Sequence, residues 1–292
     1  MPFLGYKTYY RIAEPDQPSQ KLPLVLLHGG PGSTHNYMEV FDCLADERKV
    51  ISYDQIGCGN SYLDGHPELW HAQTWIEELK ALLEYLKLEK VFLLGQSWGG
   101  MLEQLYCLQE GTAKVKAMVL SSTLSSASLY AEEQLEKIRL LPEQYRDPIL
   151  AAISANDFTG REYVEANDYY MQKYCAGPFS EDAPECLRRQ KRSGSEAYLI
   201  AWGPNEYIAS GTLRDYEITD RLHKIRIPVL IISGDSDLVG IRTAAAMERS
   251  YPRSQRVLFK GARHMCFIDR RDEYMKTLRS WLNEKENENE IR

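Results

Sequence analysis

Val91-Phe92-Leu93-Leu94-Gly95-Gln96-Ser97-Trp98-Gly99-Gly100-Met101-Leu102-Glu103-Gln104-Leu105 is the stretch that decides the fold. Val91 to Leu94 is a short apolar run with no polar face, which suits a strand buried on both sides of a parallel sheet. Met101 to Leu105 is compatible with a helix. Between them lies G-x-S-x-G, in the strand, tight turn and helix context that a nucleophile elbow requires. The glycines have a steric role, because side chains two residues before and after a serine held in a strained turn would collide with it. The helix behind the serine directs its N-terminal amides toward developing negative charge. The bare motif would arise by chance in about one chain in ten of this length, so its placement after a buried strand carries the weight.

Working outward, the same buried-strand texture recurs at Leu24-Val25-Leu26-Leu27, Val50-Ile51-Ser52-Tyr53 and Met118-Val119-Leu120. Thr74 to Leu88 places Trp75, Leu79, Leu82, Leu83 and Leu86 at helical spacing, as in a crossover helix. After Ser126 no strand-like run is found. Ala131 to Leu141 and Pro148 to Ala155 read as helices, and tyrosines become frequent. Strand-like runs resume at Val229-Leu230-Ile231-Ile232 and Arg256-Val257-Leu258-Phe259, and a helix over Asp272 to Leu282 closes the pattern. The expected architecture is α/β, with a mostly parallel central sheet flanked by helices. Residues 1–124 and 224–292 form its core, and 125–223 is an inserted helical cap over one edge of the sheet. The polar tail from Asn283 to Arg292 is expected to fray.

A serine hydroxyl needs a base, and the base needs an orienting acid. When the serine sits in such an elbow, the acid and then the histidine follow on loops after late strands. Gly234-Asp235-Ser236-Asp237 follows one late strand and Gly261-Ala262-Arg263-His264 the next. Both aspartates compete for the acid role. Asp237 is chosen because the acid must reach the imidazole from within the loop, which leaves Asp235 as a turn-forming carboxylate. Of six histidines, His264 alone lies after the last strand. His28-Gly29-Gly30-Pro31-Gly32 follows the first buried strand, where glycines let the main chain approach a substrate. The amides of Gly30 and Trp98 are therefore the expected oxyanion donors, and His28 is expected to organise the loop.

Composition sets the bounds on partners. The chain has 292 residues, 43% apolar and 26% charged, which suits a globular protein with a sizeable core and at most two domains. A formal charge of -7 and the lack of a long Lys/Arg run argue against nucleic acid. The N-terminus has no signal-like apolar stretch, and no window approaches a membrane span, so a cytoplasmic enzyme is the expectation. Six scattered cysteines without C-x-x-C spacing read as free thiols, the only conceivable pairing being Cys175 with Cys186. No metal and no cofactor is called for. A monomer is compatible with everything above.

At this point three motifs can be taken together: HGGPG at His28 to Gly32, DQIGCGNS at Asp54 to Ser61 and GQSWGG at Gly95 to Gly100. The chain resembles the proline iminopeptidases, or prolyl aminopeptidases, among the α/β-hydrolases, and the resemblance extends over nearly its whole length. It implies a serine exopeptidase that removes N-terminal proline from small peptides with a free amino terminus. Such a reaction demands a snug apolar pocket for the pyrrolidine ring, which Trp98 could wall, and carboxylates for the α-ammonium. Gly203-Pro204-Asn205-Glu206 resembles the cap segment in which a glutamate holds that amine, so Glu206 is nominated as a substrate-binding residue. In some relatives the residue after the catalytic aspartate is a second amine-binding glutamate. Here it is Leu238, which leaves room for a broader amino-acid amidase or an esterase. Asp54 and Ser61 are expected to structure their loop.

A third reading, a binding protein that keeps the fold without turnover, conflicts with the intact Ser97, Asp237 and His264. A fluorophosphonate probe is expected to label the native protein at Ser97 and to leave Ser97→Ala unlabelled. Absence of labelling in the native protein would favour the binding protein.

Overall fold

The computed structural model describes residues 1–288. A small hairpin of β1 (Pro2–Phe3) and β2 (Tyr6–Lys7) precedes the main sheet. That sheet has seven strands: β3 (Tyr10–Ala13), β4 (Leu24–Leu27), β5 (Val50–Tyr53), β6 (Val91–Gln96), β7 (Val115–Ser121), β8 (Val229–Gly234) and β9 (Ser254–Phe259). Their spatial order is β3-β5-β4-β6-β7-β8-β9, and every neighbouring pair is parallel except β3 with β5. Every residue of β4, β5, β6 and β8 is buried, as expected of strands covered on both faces.

The chain leaves β4 toward β5 on one side and returns through α1 (Ala72–Tyr85) to β6 on the other. Strand order therefore reverses around β4, and the crevice at the carboxyl ends of β4 and β6 is where an open α/β sheet offers a binding site. After β6 come α2 (Trp98–Glu110) and β7. The chain then passes through α3 (Ala127–Arg139), α4 (Glu143–Ala155), α5 (Arg161–Tyr174), α6 (Glu185–Arg188) and α7 (Ser195–Ala201) before β8. Among the described residues this span contributes no strand to the sheet, only an isolated bridge between Ser126 and Glu217. Helix α8 (Ile241–Ser250) joins β8 to β9, and α9 (Cys266–Asp269) and α10 (Arg271–Asn287) close the fold.

Two apolar layers sandwich the sheet. On one face Trp75, Leu79 and Leu82 of α1 and Met101 and Leu102 of α2 pack on alternate strand residues such as Val25, Ile51 and Leu93. On the other, a 3₁₀ segment over His35–Leu44 and α10 supply Met38, Phe41, Leu278 and Trp281 against Leu24, Leu26, Phe92 and Leu94. A third cluster is built within the inserted span, from Ile138, Ile149, Tyr163, Tyr170 and Tyr207. That the insertion can bury its own tyrosines explains their density there. Two of its helices begin earlier than the apolar spacing suggests, at Ala127 and Glu143.

One expectation fails. Residues 283–287 continue α10 rather than fray, because their polar atoms have buried partners. Arg48 is fully buried, its Nη1 donating to Leu22 O (3.0 Å) and Glu286 Oε2 (2.8 Å) and its Nη2 to Asn283 Oδ1 (2.9 Å). Glu286 also accepts the Leu22 amide at 2.7 Å. The rest of the expected tail, residues 289–292, lies outside the described residues. Glu286→Ala strips both Arg48 and the Leu22 amide of an acceptor, and is expected to cost roughly 2 kcal/mol of stability. Urea denaturation monitored by circular dichroism measures it, and an unchanged midpoint would show the tail contacts to be dispensable.

Candidate active site

Ser97 occupies the single-residue joint between β6 and α2 with φ +56° and ψ −120°, a conformation that residues with a side chain rarely adopt. The turn is held because nothing larger than hydrogen fits beside it. A Cβ on Gly95 would lie 2.3 Å from the Gly99 carbonyl, and one on Gly99 would lie 2.0 Å from Leu27 O. Backbone hydrogen bonds complete the clamp: the Ser97 amide donates to Ser121 O at 3.0 Å, and Thr123 Oγ1 donates to Ser97 O at 2.6 Å.

The loops after β8 and β9 meet beside this joint. Asp237 Oδ1 lies 2.7 Å from His264 Nδ1 and also accepts the Val239 amide at 2.9 Å. The pair is almost wholly buried, at 2% and 6% exposure. Asp235 instead accepts the Gly261 amide at 2.9 Å and sits in an exposed turn. Of the two aspartates, Asp237 is thus the one against the ring. Ser97 and His264 both border one cavity of about 790 Å³. Among the described residues no hydrogen bond joins Ser97 Oγ to the imidazole, a separation common in hydrolases without substrate.

The loop after β4 faces the serine. Gly30 has φ +116°, and neither its amide nor that of Trp98 donates to another group among the described residues. Both are therefore available to an oxyanion. The loop is fixed through Tyr37, whose hydroxyl accepts the Gly29 amide at 2.6 Å and donates to Gln96 Oε1 at 2.8 Å. His28 lies beneath, its Nε2 accepting the Gln55 amide at 3.0 Å while Gln55 Nε2 donates to His28 O at 2.9 Å. Burial lowers its pKa to about 4, so His28 is neutral and ties the loop to the segment after β5.

That segment is organised by Asp54, whose Oδ1 accepts the His35 amide at 2.8 Å and whose Oδ2 accepts the Asn60 amide at 2.8 Å. Ser61 Oγ donates to Asp54 O at 2.7 Å. His28, Asp54 and Cys58 stand close enough together to suggest a cation site. Their atoms are already engaged: His28 with Gln55, Asp54 with His35 and Asn60, and Cys58 Sγ with Gln55 O at 3.1 Å. All six cysteines are free thiols.

Glu206 reaches the site from the inserted span, with Tyr198 Oη donating to it at 2.8 Å and Tyr130 Oη at 3.2 Å. Burial raises its pKa, while the two hydroxyls and His264 pull it back down. Beside Ser97 a narrow cleft of about 10 Å³ is walled by Trp98, Met101, Leu124, Tyr130, Trp202 and Val239, and Glu206 and His264 also line it. The Trp98 ring is fixed there by its Nε1 donating to Gln55 Oε1 at 2.7 Å and by an edge contact with Trp75. Leu238, the residue after Asp237, is buried in the apolar cluster of the insertion.

Motif spacing does not reveal several residues that hold the site. Lys137 of α3 donates to Asp237 O (2.7 Å) and Leu238 O (2.5 Å), and Gln134 Nε2 donates to Leu238 O at 2.7 Å. The His264 amide donates to Tyr174 O at the end of α5 (3.0 Å). The acid and histidine loops are thus braced from the insertion. His264 and Tyr174 stand about 90 residues apart in the chain, a contact invisible to local pattern.

A family profile described as the alpha/beta hydrolase fold matches residues 23–271. The chain is 51% identical over 284 residues to a proline iminopeptidase of Clostridioides difficile, covering 97% of each chain. It is 50% identical to one of Lactiplantibacillus plantarum, covering 97% of this chain and 99% of that one. The crystal structure of a proline iminopeptidase of Mycobacterium smegmatis superposes with a TM-score of 0.86 at 28% identity, over 98% of this chain and 97% of that one. Among the described residues no helix is long and apolar enough to cross a membrane.

Tyr37→Phe leaves the buried Gly29 amide and Gln96 Oε1 without their shared partner, which is expected to cost about 1–3 kcal/mol of stability. The loosened loop is expected to lower kcat about tenfold on an activated ester, with KM little changed. Steady-state kinetics beside a melting curve check both, and an unaltered kcat would separate Tyr37 from the chemistry.

Proposed function

This chain belongs to the proline iminopeptidase family of the α/β-hydrolase fold, and we propose that its release of N-terminal proline from peptides runs through an acyl-enzyme on Ser97 with His264 as base and Asp237 as orienting acid. It is a hydrolase of the aminopeptidase class. The observation that carries the residue assignment is the buried Asp237–His264 contact of 2.7 Å bordering the same cavity as the strained Ser97. In this reading residues 125–223 are the cap over a core of 1–124 and 224–292. The substrate is a peptide with a free amino terminus.

The prolyl carbonyl lies over Ser97 with its oxygen toward the amides of Gly30 and Trp98. Ser97 Oγ attacks as His264 Nε2 takes its proton, and Asp237 stabilises the imidazolium that results. The tetrahedral oxyanion is held by the two amides and by the N-terminus of α2. His264 then protonates the departing amine, the C–N bond breaks, and the shortened peptide leaves. Water, activated by the same imidazole, attacks the prolyl ester and frees proline and Ser97. No step needs a metal or an organic cofactor.

Selection for an N-terminal residue falls to Glu206. An ammonium beside Ser97 finds this carboxylate already oriented by two tyrosine hydroxyls, with lone pairs left to accept from it. The pyrrolidine ring packs on Trp98, Met101, Leu124, Trp202 and Val239. That cleft has space for about one water, so the ring enters only as the wall adjusts, and bulkier side chains meet a larger penalty. This ranks proline selectivity above the broad amidase, despite Leu238.

Proline arylamide is expected to be cleaved, and its N-acyl derivative to be refused. Equal rates on the two would remove the exopeptidase assignment. Glu206→Gln is expected to raise KM for the free-amine substrate by at least about tenfold while sparing kcat on an ester without an amine. Because burial raises the carboxyl pKa, KM of the native enzyme should climb as pH falls through that raised value and Glu206 protonates. In Glu206→Gln this limb should vanish, and its persistence would assign the titration elsewhere.

A further inference from the structure

The 790 Å³ cavity is far larger than an N-terminal proline requires, so most of it faces whatever leaves. Its walls are chiefly apolar, including Phe158, Met171, Phe179, Leu187, Leu199 and Met265. Among its lining residues Glu206 is the only carboxylate, and Arg189 and Lys191 are the only flexible cations. Arg189 is already engaged, since its guanidinium pairs with Glu39 at 2.9 Å and Glu185 at 2.5 Å. Lys191 has no ion pair or hydrogen bond among the described residues.

The position of Lys191 is fixed although its head is unpaired. Directly after it the chain is pinned twice: the Gly59 amide donates to Arg192 O at 2.7 Å, and the Gly194 amide donates to Gly32 O at 2.7 Å. The Arg192 guanidinium lies 3.3 Å above the Tyr62 ring, which directs that neighbour away. Lys191 Nζ lies 5.9 Å from the Tyr37 ring, the same ring whose hydroxyl holds the Gly29 amide. The ammonium therefore stands on the side of the cavity formed by the HGGPG loop. The surrounding protein desolvates it enough to lower its pKa, although the side chain stays accessible from the cavity.

We infer that Lys191 is a specificity residue that binds the free C-terminal carboxylate of a short peptide, making the cavity a receptor for zwitterionic proline peptides with apolar second residues. The inference rests on the aminopeptidase reading above and adds to it the chemistry of the departing half. An apolar cavity with one carboxylate near the nucleophile and one unpaired ammonium on the wall matches a molecule with an ammonium at one end and a carboxylate at the other. A charge in such surroundings gains more from an opposite charge than it would in water. Long peptides, whose carboxylate lies outside, lose that contact.

The test compares prolyl-leucine with prolyl-leucine amide and the same pair one residue longer, with proline arylamide, which has no carboxylate, as reference. The native enzyme is expected to favour the better-fitting free acid over its amide by about tenfold or more in kcat/KM. Lys191→Met should erase that preference by raising KM for the acid, leave the amide unchanged and keep arylamide turnover within about twofold. Lys191→Arg should retain most of it. Equal handling of acid and amide by the native enzyme, or a preference that survives Lys191→Met, would overturn the inference while leaving the aminopeptidase intact. A parallel fall on the arylamide would also overturn it, since that would place Lys191 in the general integrity of the site. Failure of the native enzyme on every substrate would instead bring down the aminopeptidase reading, and the inference with it.

Discussion

The first turn of α2 passes so close to the end of β4 that a single Cβ on Gly99 would sit 2.0 Å from the Leu27 carbonyl. This approach is the constraint on which the rest of the site depends. It forces β6 to turn into α2 within one residue, and that residue must accept a positive φ. Ser97 is thereby lifted out of both the strand and the helix, with its hydroxyl toward the cavity and the helix N-terminus behind it. The same approach brings α2 beside the HGGPG loop, which starts at the end of β4. Two amides without an internal partner, those of Gly30 and Trp98, thus belong to segments that meet beside Ser97. The backbone strain at Ser97, of order 1–3 kcal/mol, is sustained by the buried strands on either side.

The sheet alone does not complete the site. The acid and histidine loops lie at the edge of β8 and β9, and their free side is covered by the insertion. Lys137 and Gln134 hold the carbonyls of Asp237 and Leu238, and Tyr174 O takes the His264 amide. Glu133 accepts the amides of Arg242 and Thr243 at 2.9 and 3.0 Å, which fastens α3 to the first turn of α8. The inserted helices therefore do more than roof the cavity. They fix the backbone from which Asp237 and His264 project, so displacing α3 would change the site's geometry as well as access to it.

Much of this is legible in the sequence because it depends on local rules. Fully buried parallel strands leave nearly unbroken apolar runs, and Leu24–Leu27, Val50–Tyr53 and the Val91 to Leu94 part of β6 are recognisable for that reason. The elbow is legible because only glycine satisfies its sterics. The edge strand Tyr10–Ala13 is not, since its mixed exposure leaves no such run. The end of α10 is hidden for a related reason. Glu286 and Asn283 look like solvent-facing residues until Arg48, more than 230 positions away, is placed beneath them. Tyr37, Lys137 and Tyr174 belong to the same class: a tertiary partner gives each its role, and nothing in the spacing of the chain announces it.

The three buried or nearly buried histidines show why a role follows from what lies on both sides of the ring. His35 makes a carboxylate contact as short as that of His264, with Asp54 Oδ1 at 2.7 Å from Nδ1. Its other nitrogen faces Glu39 at 3.3 Å, so a second acid stands where a nucleophile would have to be. His28 lacks a carboxylate at either nitrogen and stays neutral to about pH 4, its Nε2 accepting the Gln55 amide and its Nδ1 donating to Gly29 O at 2.9 Å, so both nitrogens are spent on cross-linking two loops. His264 alone combines an aspartate at Nδ1 with a cavity shared with a serine. A carboxylate–imidazole pair thus marks a folded loop as readily as a catalytic base, and the distinction lies in open space beside the second nitrogen. In this chain that space exists where the ends of β6, β8 and β9 converge, and the glycine-enforced turn at Ser97 is what puts a hydroxyl into it.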